Sequence, residues 1–509
     1  PRFTRQVSTL IMRSNGMDEE AAKELAKAWD PIGENSASRS SPSLGSGPPT
    51  PRSNDDGGIM SLAGSGREPE DMGVSALDVS HNSAMGDRGF EYIIAGITQF
   101  KAFRVLVAEG IGLRASGCLA VQQLDSTRLE LLNVSENDIG SKGAITVVKA
   151  ASKFPYLNTI VMDNCNIESN AAEAFAAMFQ EHGGLRRVSV NHNRLGSDGT
   201  IEFCRGAAAS RTLQSVHMAY NEVYTEEAAE AIGNLMRECE SLLEVSISGN
   251  QIDPRGARHV GMAIEHSKVL TLFIEDMGFT ETTIDDFLGH NAAETQELQV
   301  MILSKNPVGD DGLETISECL SIGLTELALS NCSLTSKCQA TLLNLVFLSP
   351  NLRSLDLSNN LLGATGLQDM VMWMAQNEKE NYSLRSLELA NCGLGNEGLQ
   401  QLIPIMGALN YLGLRSNGIT SAGLQAVMNS NTMIQLTTLD LANNQIGEPG
   451  VHALTERFQQ EHKRSLWNPK QLTSLIDTVI LTNNQISQSL AMSTEAFLKV
   501  NNPLLTVVW

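Results

Sequence analysis

Histidine, cysteine, glycine and serine are where chemistry would show first, and here each type stands in a pattern that argues against it. His81, His192 and His217 could offer imidazole nitrogens to a metal ion, but each belongs to a separate repeat and nothing else supplies paired ligands, so no metal is expected. The 8 cysteines form no CxxC pair and no His/Cys cluster at zinc spacing. Several fall where a repeat pattern makes the chain interior, which reads as reduced, buried thiols. Gly110 and Gly112 open something like a dinucleotide-binding loop, yet the third glycine is misplaced. No GxxxxGK[ST], HExxH, GxSxG or aspartate-rich calcium loop occurs. The chain is therefore not expected to be an enzyme, and no cofactor is expected.

The composition narrows the remaining classes. Lys+Arg 36 against Asp+Glu 58 gives a net charge of -22 over 509 residues, which repels nucleic-acid phosphate and anionic lipid. There is no run of apolar residues long enough to span a bilayer and no basic-then-apolar leader, so a cytoplasmic protein without membrane insertion is expected. What is left is a protein partner.

The elements that must position such a surface come from a repeat. Leu352, Leu355, Leu357, Asn360 and Leu362 spell LxxLxLxxNxL, and the spacing returns as Leu436, Leu439, Leu441, Asn444 and Ile446. Further copies carry Asn82, Asn137, Asn193, Asn221, Asn250, Asn306, Asn417 and Asn484 at the ladder position, and three carry Cys165, Cys332 and Cys392. With two degenerate copies around Gly110 and Met277, about fifteen repeats of roughly 28 residues are expected. In LxL the apolar residues alternate with an outward one, the period of a short strand with one buried face. The ladder amide satisfies backbone groups where the chain leaves the strand, and cysteine fills the same niche with a weaker donor. A glycine pair such as Gly363 and Gly366 then leads into an amphipathic helical stretch. The expected fold is α/β: a leucine-rich-repeat solenoid, or horseshoe, with a parallel sheet on its concave face and helices on its convex face.

The period, the glycine pair and the long helical half resemble the ribonuclease-inhibitor-like subfamily of leucine-rich-repeat proteins over roughly residues 72 to 509. That resemblance implies a strongly bent horseshoe and a protein-interaction role, since the same scaffold serves enzyme inhibitors, GTPase-activating proteins, innate immune sensors and actin regulators. The favoured reading is a non-catalytic scaffold or adaptor that holds a partner on its concave face within a cytoskeletal, ciliary or signalling assembly. The alternatives are a GTPase-activating protein similar to the Ran GTPase activators, and the leucine-rich sensor region of a longer innate-immune-type receptor. Similarity to the capping-protein linker family of actin regulators stays open beside them.

Residues between the buried leucines face the concave side, and that column with its neighbour gives the expected partner-binding surface. Val161, His217, Phe273, Val300 and Ile302 form an apolar and aromatic zone of the kind that anchors interfaces. Glu326, Asp356, Glu388 and Asp440 form an acidic stripe that would steer a basic partner, and Arg187 and Tyr411 belong to the neighbouring column. A surplus of residues between Asn444 and Asn484 places a basic loop with Lys463, Arg464 and Trp467 as a second contact.

Ahead of the array, residues 1–32 are expected to carry a short helical segment and residues 33–72 a disordered Ser/Pro/Gly-rich linker, with the repeat domain running from 73 to 509. Ser41 and Thr50, each followed by proline, are candidate phosphorylation sites. One period after Asn484 the pattern expects apolar residues at 504, 507 and 509, where Leu504, Val507 and Trp509 stand. The expectation is a native chain that continues beyond one or both ends.

Overall fold

The computed structural model describes residues 8–29, 74–289, 297–320, 322–377, 381–430, 436–467, 476–501 and 505–509. It divides into two compact units, Pro1–Asn193 and Arg194–Trp509. Within the first lie six three-residue strands: β1 (Thr9–Ile11), β2 (Ala76–Asp78), β3 (Val105–Val107), β4 (Leu131–Asn133), β5 (Thr159–Val161) and β6 (Arg187–Ser189). Each pairs in parallel with the next, and Leu10, Leu77, Leu106, Leu132, Ile160 and Val188 share one row. The second unit holds β7 (Ser215–His217), β8 (Glu244–Ser246), β9 (Thr271–Phe273), β10 (Val300–Ile302), β11 (Glu326–Ala328), β12 (Ser354–Asp356), β13 (Ser386–Glu388), β14 (Tyr411–Gly413), β15 (Thr438–Asp440), β16 (Thr478–Ile480) and β17 (Thr506–Val508). These too pair in parallel, from β7 through to β17. Both units are leucine-rich-repeat solenoids of the α/β class, as the spacing predicts.

Each repeat is built the same way because the same backbone problem recurs. The central strand residue, such as Leu106, Leu272 or Leu387, is fully buried against the helix layer, which at about 25 cal/mol per Å² of apolar surface stabilises by roughly 2 kcal/mol per leucine. The residue before the ladder position then takes a left-handed backbone: His81 (φ 58°), Glu136 (φ 57°), Asn164 (φ 52°), Asp276 (φ 53°) and Asn359 (φ 58°) are examples. That turn points backbone groups into the core, where they need partners. Asn360, 1% exposed, supplies them: its Nδ2 donates to the carbonyls of Leu329 and Leu357, both at 2.8 Å, and its Oδ1 accepts from the N–H groups of Cys332 and Leu334, both at 3.0 Å. Cysteine has no amide oxygen to receive two N–H groups and keeps only a weak donor bond, as Cys165 Sγ makes to the Val134 carbonyl at 3.4 Å. Ahead of Cys165, Met277 and Cys332 at the ladder position, the preceding repeat adjusts. The N–H groups of Ile139, Val308 and Ile252 turn back onto the carbonyls of Asn137, Asn306 and Asn250.

Helix starts follow local chemistry. Thr225 accepts from the Ala228 N–H to begin Glu226–Glu238, and Asp253 accepts from the Gly256 N–H at 2.8 Å to begin Pro254–Ile264, with the proline in the first turn. In each unit, successive helices pack beside one another behind the strands.

Two boundaries differ from the sequence reading. The short helix in residues 1–32 spans Glu19–Trp29, but it is part of the array rather than a segment ahead of it. Leu10, Met12, Asn15 and Met17 repeat the LxLxxNxL spacing, β1 pairs with β2, and the backbone N–H groups of Asn15 and Met17 both donate to Asn82 Oδ1. The array therefore begins by Thr9 and not at residue 73. The linker expected at 33–72 lies outside the described residues. Farther on, the basic loop carrying Lys463, Arg464 and Trp467 is corrected to helix: Glu448–Trp467 runs unbroken because no glycine or proline interrupts Val451 to Trp467. The side chains of those three residues lie outside the described ones.

Asn360→Ala should lower stability by about 4 kcal/mol, since four buried backbone groups lose partners at roughly 1 kcal/mol or more each, while Cys332→Ala should cost no more than about 2 kcal/mol. Urea unfolding followed by circular dichroism compares the two. Trp29 is buried and meets Phe100 edge-on with centroids 5.9 Å apart. Truncating it to alanine should cost about 3 kcal/mol and speed amide exchange in the helix Gly86–Ile97, whereas a detached N-terminal helix would leave that exchange unchanged.

Candidate partner-binding face

Because each strand is three residues long with its middle residue buried, the first and third residues point away from the helices and form two rows on the open face of the sheet. In the second unit the third-residue row reads His217, Ser246, Phe273, Ile302, Ala328, Asp356, Glu388, Gly413, Asp440 and Ile480 in unbroken register. Beside it the first-residue row places Thr271, Val300, Glu326, Ser354, Ser386 and Tyr411 on adjacent strands. In the first unit, Asp78, Val107, Asn133, Val161 and Ser189 form the corresponding row, and Arg187 stands beside Thr159.

One end of the second unit's face is apolar. Phe273, Val300 and Ile302 are half-buried neighbours, and the His217 ring meets Phe273 edge-on across Ser246 with centroids 6.0 Å apart. His217 Nε2 bonds the Glu244 carboxylate, and Ser215 Oγ donates to the same carboxylate at 3.1 Å. Serine, histidine and glutamate stand together here, but Ser215 also approaches His217 through Nε2, at 3.3 Å. A relay needs the two ring nitrogens engaged by different partners. The cluster therefore fixes the His217 ring and builds no nucleophile.

The other end is acidic. Glu326 is exposed, while Asp356 and Glu388 are half-buried. The side chains in this row also have a task within the fold. Asp356 accepts from the Ser358 N–H at 2.9 Å, Glu388 from Ala390 at 3.1 Å, and Asp440 from Ala442 at 2.9 Å, closing the turn after the strand. Gly413 leaves a gap into which Glu388 reaches: a Cβ there would collide with its carboxylate. Tyr411 holds it in place, its hydroxyl donating to Glu388 Oε2 at 2.6 Å. Burial pushes the Glu388 carboxyl above its ordinary value, and the nearby Asp356 and Asp440 charges add to that against the bonds from Tyr411 and Ala390. Burial and the bond to Glu388 likewise raise the Tyr411 phenol.

The structure brings together His217, Phe273, Val300 and Ile302, and next to them Glu326, Asp356, Glu388 and Tyr411. Val161 and Arg187 stand on adjacent strands of the first unit and are described with it. Asp440 is a correction: it is 3% exposed, and Arg415 Nη2 donates to its Oδ2 at 2.7 Å, so its charge is already matched. Arg13 makes the same contact with Asp78 in the first unit. In both cases an arginine two residues past one strand reaches the aspartate that ends the next, a diagonal that reading down one column misses. The first-row residues Ser215 and Glu244, which orient His217, were missed for the same reason. Ser41 and Thr50 lie outside the described residues.

The cysteines have a structural role. All 8 are free, and burial pushes the Cys118, Cys165, Cys332, Cys338 and Cys392 thiols up to about 12, which keeps them protonated and unreactive. No helix among the described residues is long and apolar enough to cross a membrane.

Sequence comparison with known proteins finds the same repeat. The leucine-rich-repeat family model matches residues 126–148, 238–259, 348–371, 380–402 and 434–454. The ribonuclease inhibitor of Sus scrofa is 25% identical over 304 residues, 58% of this chain and 66% of that protein. The chain thus spans just under two thirds of that relative's length. NACHT, LRR and PYD domains-containing protein 12 of Homo sapiens is 25% identical over 360 residues, 69% of this chain and 31% of that protein. A chain in the crystal structure of the Rad7 and Elc1 complex in yeast aligns with 83% of this chain and 92% of its own length at 14% identity and a TM-score of 0.45. Repeat spacing and strand register together show leucine-rich repeats along the chain, and its sequence is similar to that of ribonuclease inhibitors.

Proposed function

We propose that the chain is a non-catalytic scaffold or adaptor, and that the open face of its second unit holds a protein partner presenting an apolar anchor beside basic side chains. The observation that carries this reading is the register: Phe273 and Ile302 are followed on the next strands by Ala328, Asp356 and Glu388, and Val300 by Glu326. Apolar groups held half-exposed next to acid side chains fit an interface core with a charged flank, where the anchor supplies affinity and the acid speeds encounter. The ribonuclease inhibitor, by its name, acts on another protein, which favours the same class of role. A second reading, the leucine-rich region of a longer receptor-type protein, draws on relatives named for NACHT, LRR and PYD domains. The same face would then receive the partner.

The test is affinity capture with the purified chain beside two variants, His217→Ala/Phe273→Ala/Ile302→Glu and Glu326→Lys/Glu388→Lys. A partner on this face should be lost at least tenfold from the first variant. The second should weaken it mainly at low salt, because exposed charge is screened over about 10 Å at 0.1 M. Capture unchanged by both variants would remove this face from consideration.

Glu388 makes the same face pH-dependent. Folding raises its pKa above the ordinary carboxyl value of 4.5, so its contribution to stability is full below the unfolded value and is lost as pH rises through the folded one. Glu388→Gln should therefore be at least as stable as the parent at pH 7 and lose that advantage on acidification below 4.5, as thermal melts across pH would read. Affinity for a basic partner should fall on acidification with a midpoint above 4.5, and Glu388→Gln should remove that step.

A further inference from the structure

We propose that His81, Glu109 and Glu136 form a divalent transition-metal site, of the class zinc occupies, on three successive repeats of the first unit. The sequence gives His81 no partner at ligand spacing, but the parallel ladder supplies two. With Leu77, Leu106 and Leu132 in register, His81, Gly110 and Glu136 each stand four residues later and share one row, and Glu109 lies one place earlier. The backbone fixes these positions: the His81 N–H donates to the Glu109 carbonyl at 2.7 Å, Gly110 to Ser135 at 2.9 Å and Glu136 to Asp163 at 2.8 Å.

The middle of the row is open. All three row residues are left-handed, with φ of 58°, 60° and 57°, and since His81 and Glu136 hold this conformation with full side chains, the turn alone does not require glycine at 110. What glycine does is leave space. A Cβ on it would stand 3.2 Å from His81 Nδ1 and 3.5 Å from Glu136 Oε2, and across that gap those two atoms are 3.7 Å apart. The ligand atoms of His81, Glu109 and Glu136 all lie within 4.8 Å of one another, the only such set among the described residues. At 3.7 Å imidazole and carboxylate are too far apart for a hydrogen bond, and no other side-chain partner is found for either carboxylate among the described residues.

The donor set decides the ion. One imidazole nitrogen and two carboxylates leave a position for water, the three-ligand arrangement of open zinc sites. Calcium takes 6–8 oxygen ligands and magnesium a near-octahedral set of oxygens, which one nitrogen and two glutamates do not provide. Bonds of about 2.0–2.1 Å put tetrahedral ligands about 3.3 Å apart, so the present spacing of up to 4.8 Å closes by up to about 1.5 Å of side-chain rotation. The side chains of His81 and Glu136, 44% and 48% exposed, have room for it. An ion held here would tie β2, β3 and β4 together at their exits.

The experiment is titration of the untagged, chelator-treated full chain with zinc chloride, followed by calorimetry and by competition with a fluorescent zinc indicator. The site predicts one more saturable zinc per chain in the parent than in His81→Ala, with Glu109→Gln and Glu136→Gln each weakening that zinc at least tenfold. His192→Ala, a histidine at the equivalent turn of another repeat, should retain it. Circular dichroism melts in chelator establish that the variants fold as the parent does. Equal zinc stoichiometry and affinity in parent and His81→Ala would overturn the proposal, as would saturable binding of calcium or magnesium in place of zinc.

Discussion

The structure depends on one side-chain amide. A chain that runs three residues as a strand and then turns sharply inward carries backbone N–H and C=O groups into an apolar interior, where each unpaired group costs roughly 1–3 kcal/mol. Asparagine at the ladder position answers carbonyls and N–H groups together, bonding both its own turn and the turn of the repeat before it, as Asn137 does with Ala108, Val134, Ile111 and Leu113. The amide is therefore also the link between neighbouring repeats.

Every other feature adapts to that link. Cysteine can replace asparagine because it still donates to a carbonyl, as Cys332 does to Leu303, while the N–H left over folds back onto its own turn. The thiols sit in the interior for that reason, and burial removes their reactivity. The acids at the strand ends belong to the same economy of backbone partners: Asp78 is held ionised, against the penalty of burial, by Ser80 and Arg13. An acidic row in such an array is partly turn chemistry: Asp356, Glu388 and Asp440 each close the turn after their strand, and Arg415 matches the Asp440 charge.

This explains which parts of the molecule the sequence makes legible. The open face follows from a period of two against a fixed ladder, so Phe273, Ile302 and Glu388 could be placed by counting. Contacts running diagonally between strands do not follow from counting down a column, which is why Arg415 over Asp440 and Ser215 beside His217 and Glu244 emerge only in three dimensions. The first repeat was hidden for a different reason. Leu10, Met12, Asn15 and Met17 carry the motif in full, but the next copy begins at Leu77, far outside the usual period, and a search by spacing passes over it. The helix through Trp467 shows the converse: surplus length between two ladder residues need not be loop when it contains no helix breaker.

An interrupted row lets side chains meet that a complete row would keep apart. A complete row of side chains places each residue only beside its neighbours one strand away, about 4.8 Å distant. Glycine removes one member and lets side chains enter the vacant place. Glu388 lies over Gly413, Tyr220 crosses Gly249 to reach Asp276 with its hydroxyl at 3.1 Å, and His81 meets Glu136 across Gly110. Only where the flanking groups are complementary does the gap close on itself, as it does between Tyr220 and Asp276. At Gly110 an imidazole and two carboxylates face the gap without a hydrogen bond between them, and that arrangement distinguishes a place for an ion from a contact that merely fills space.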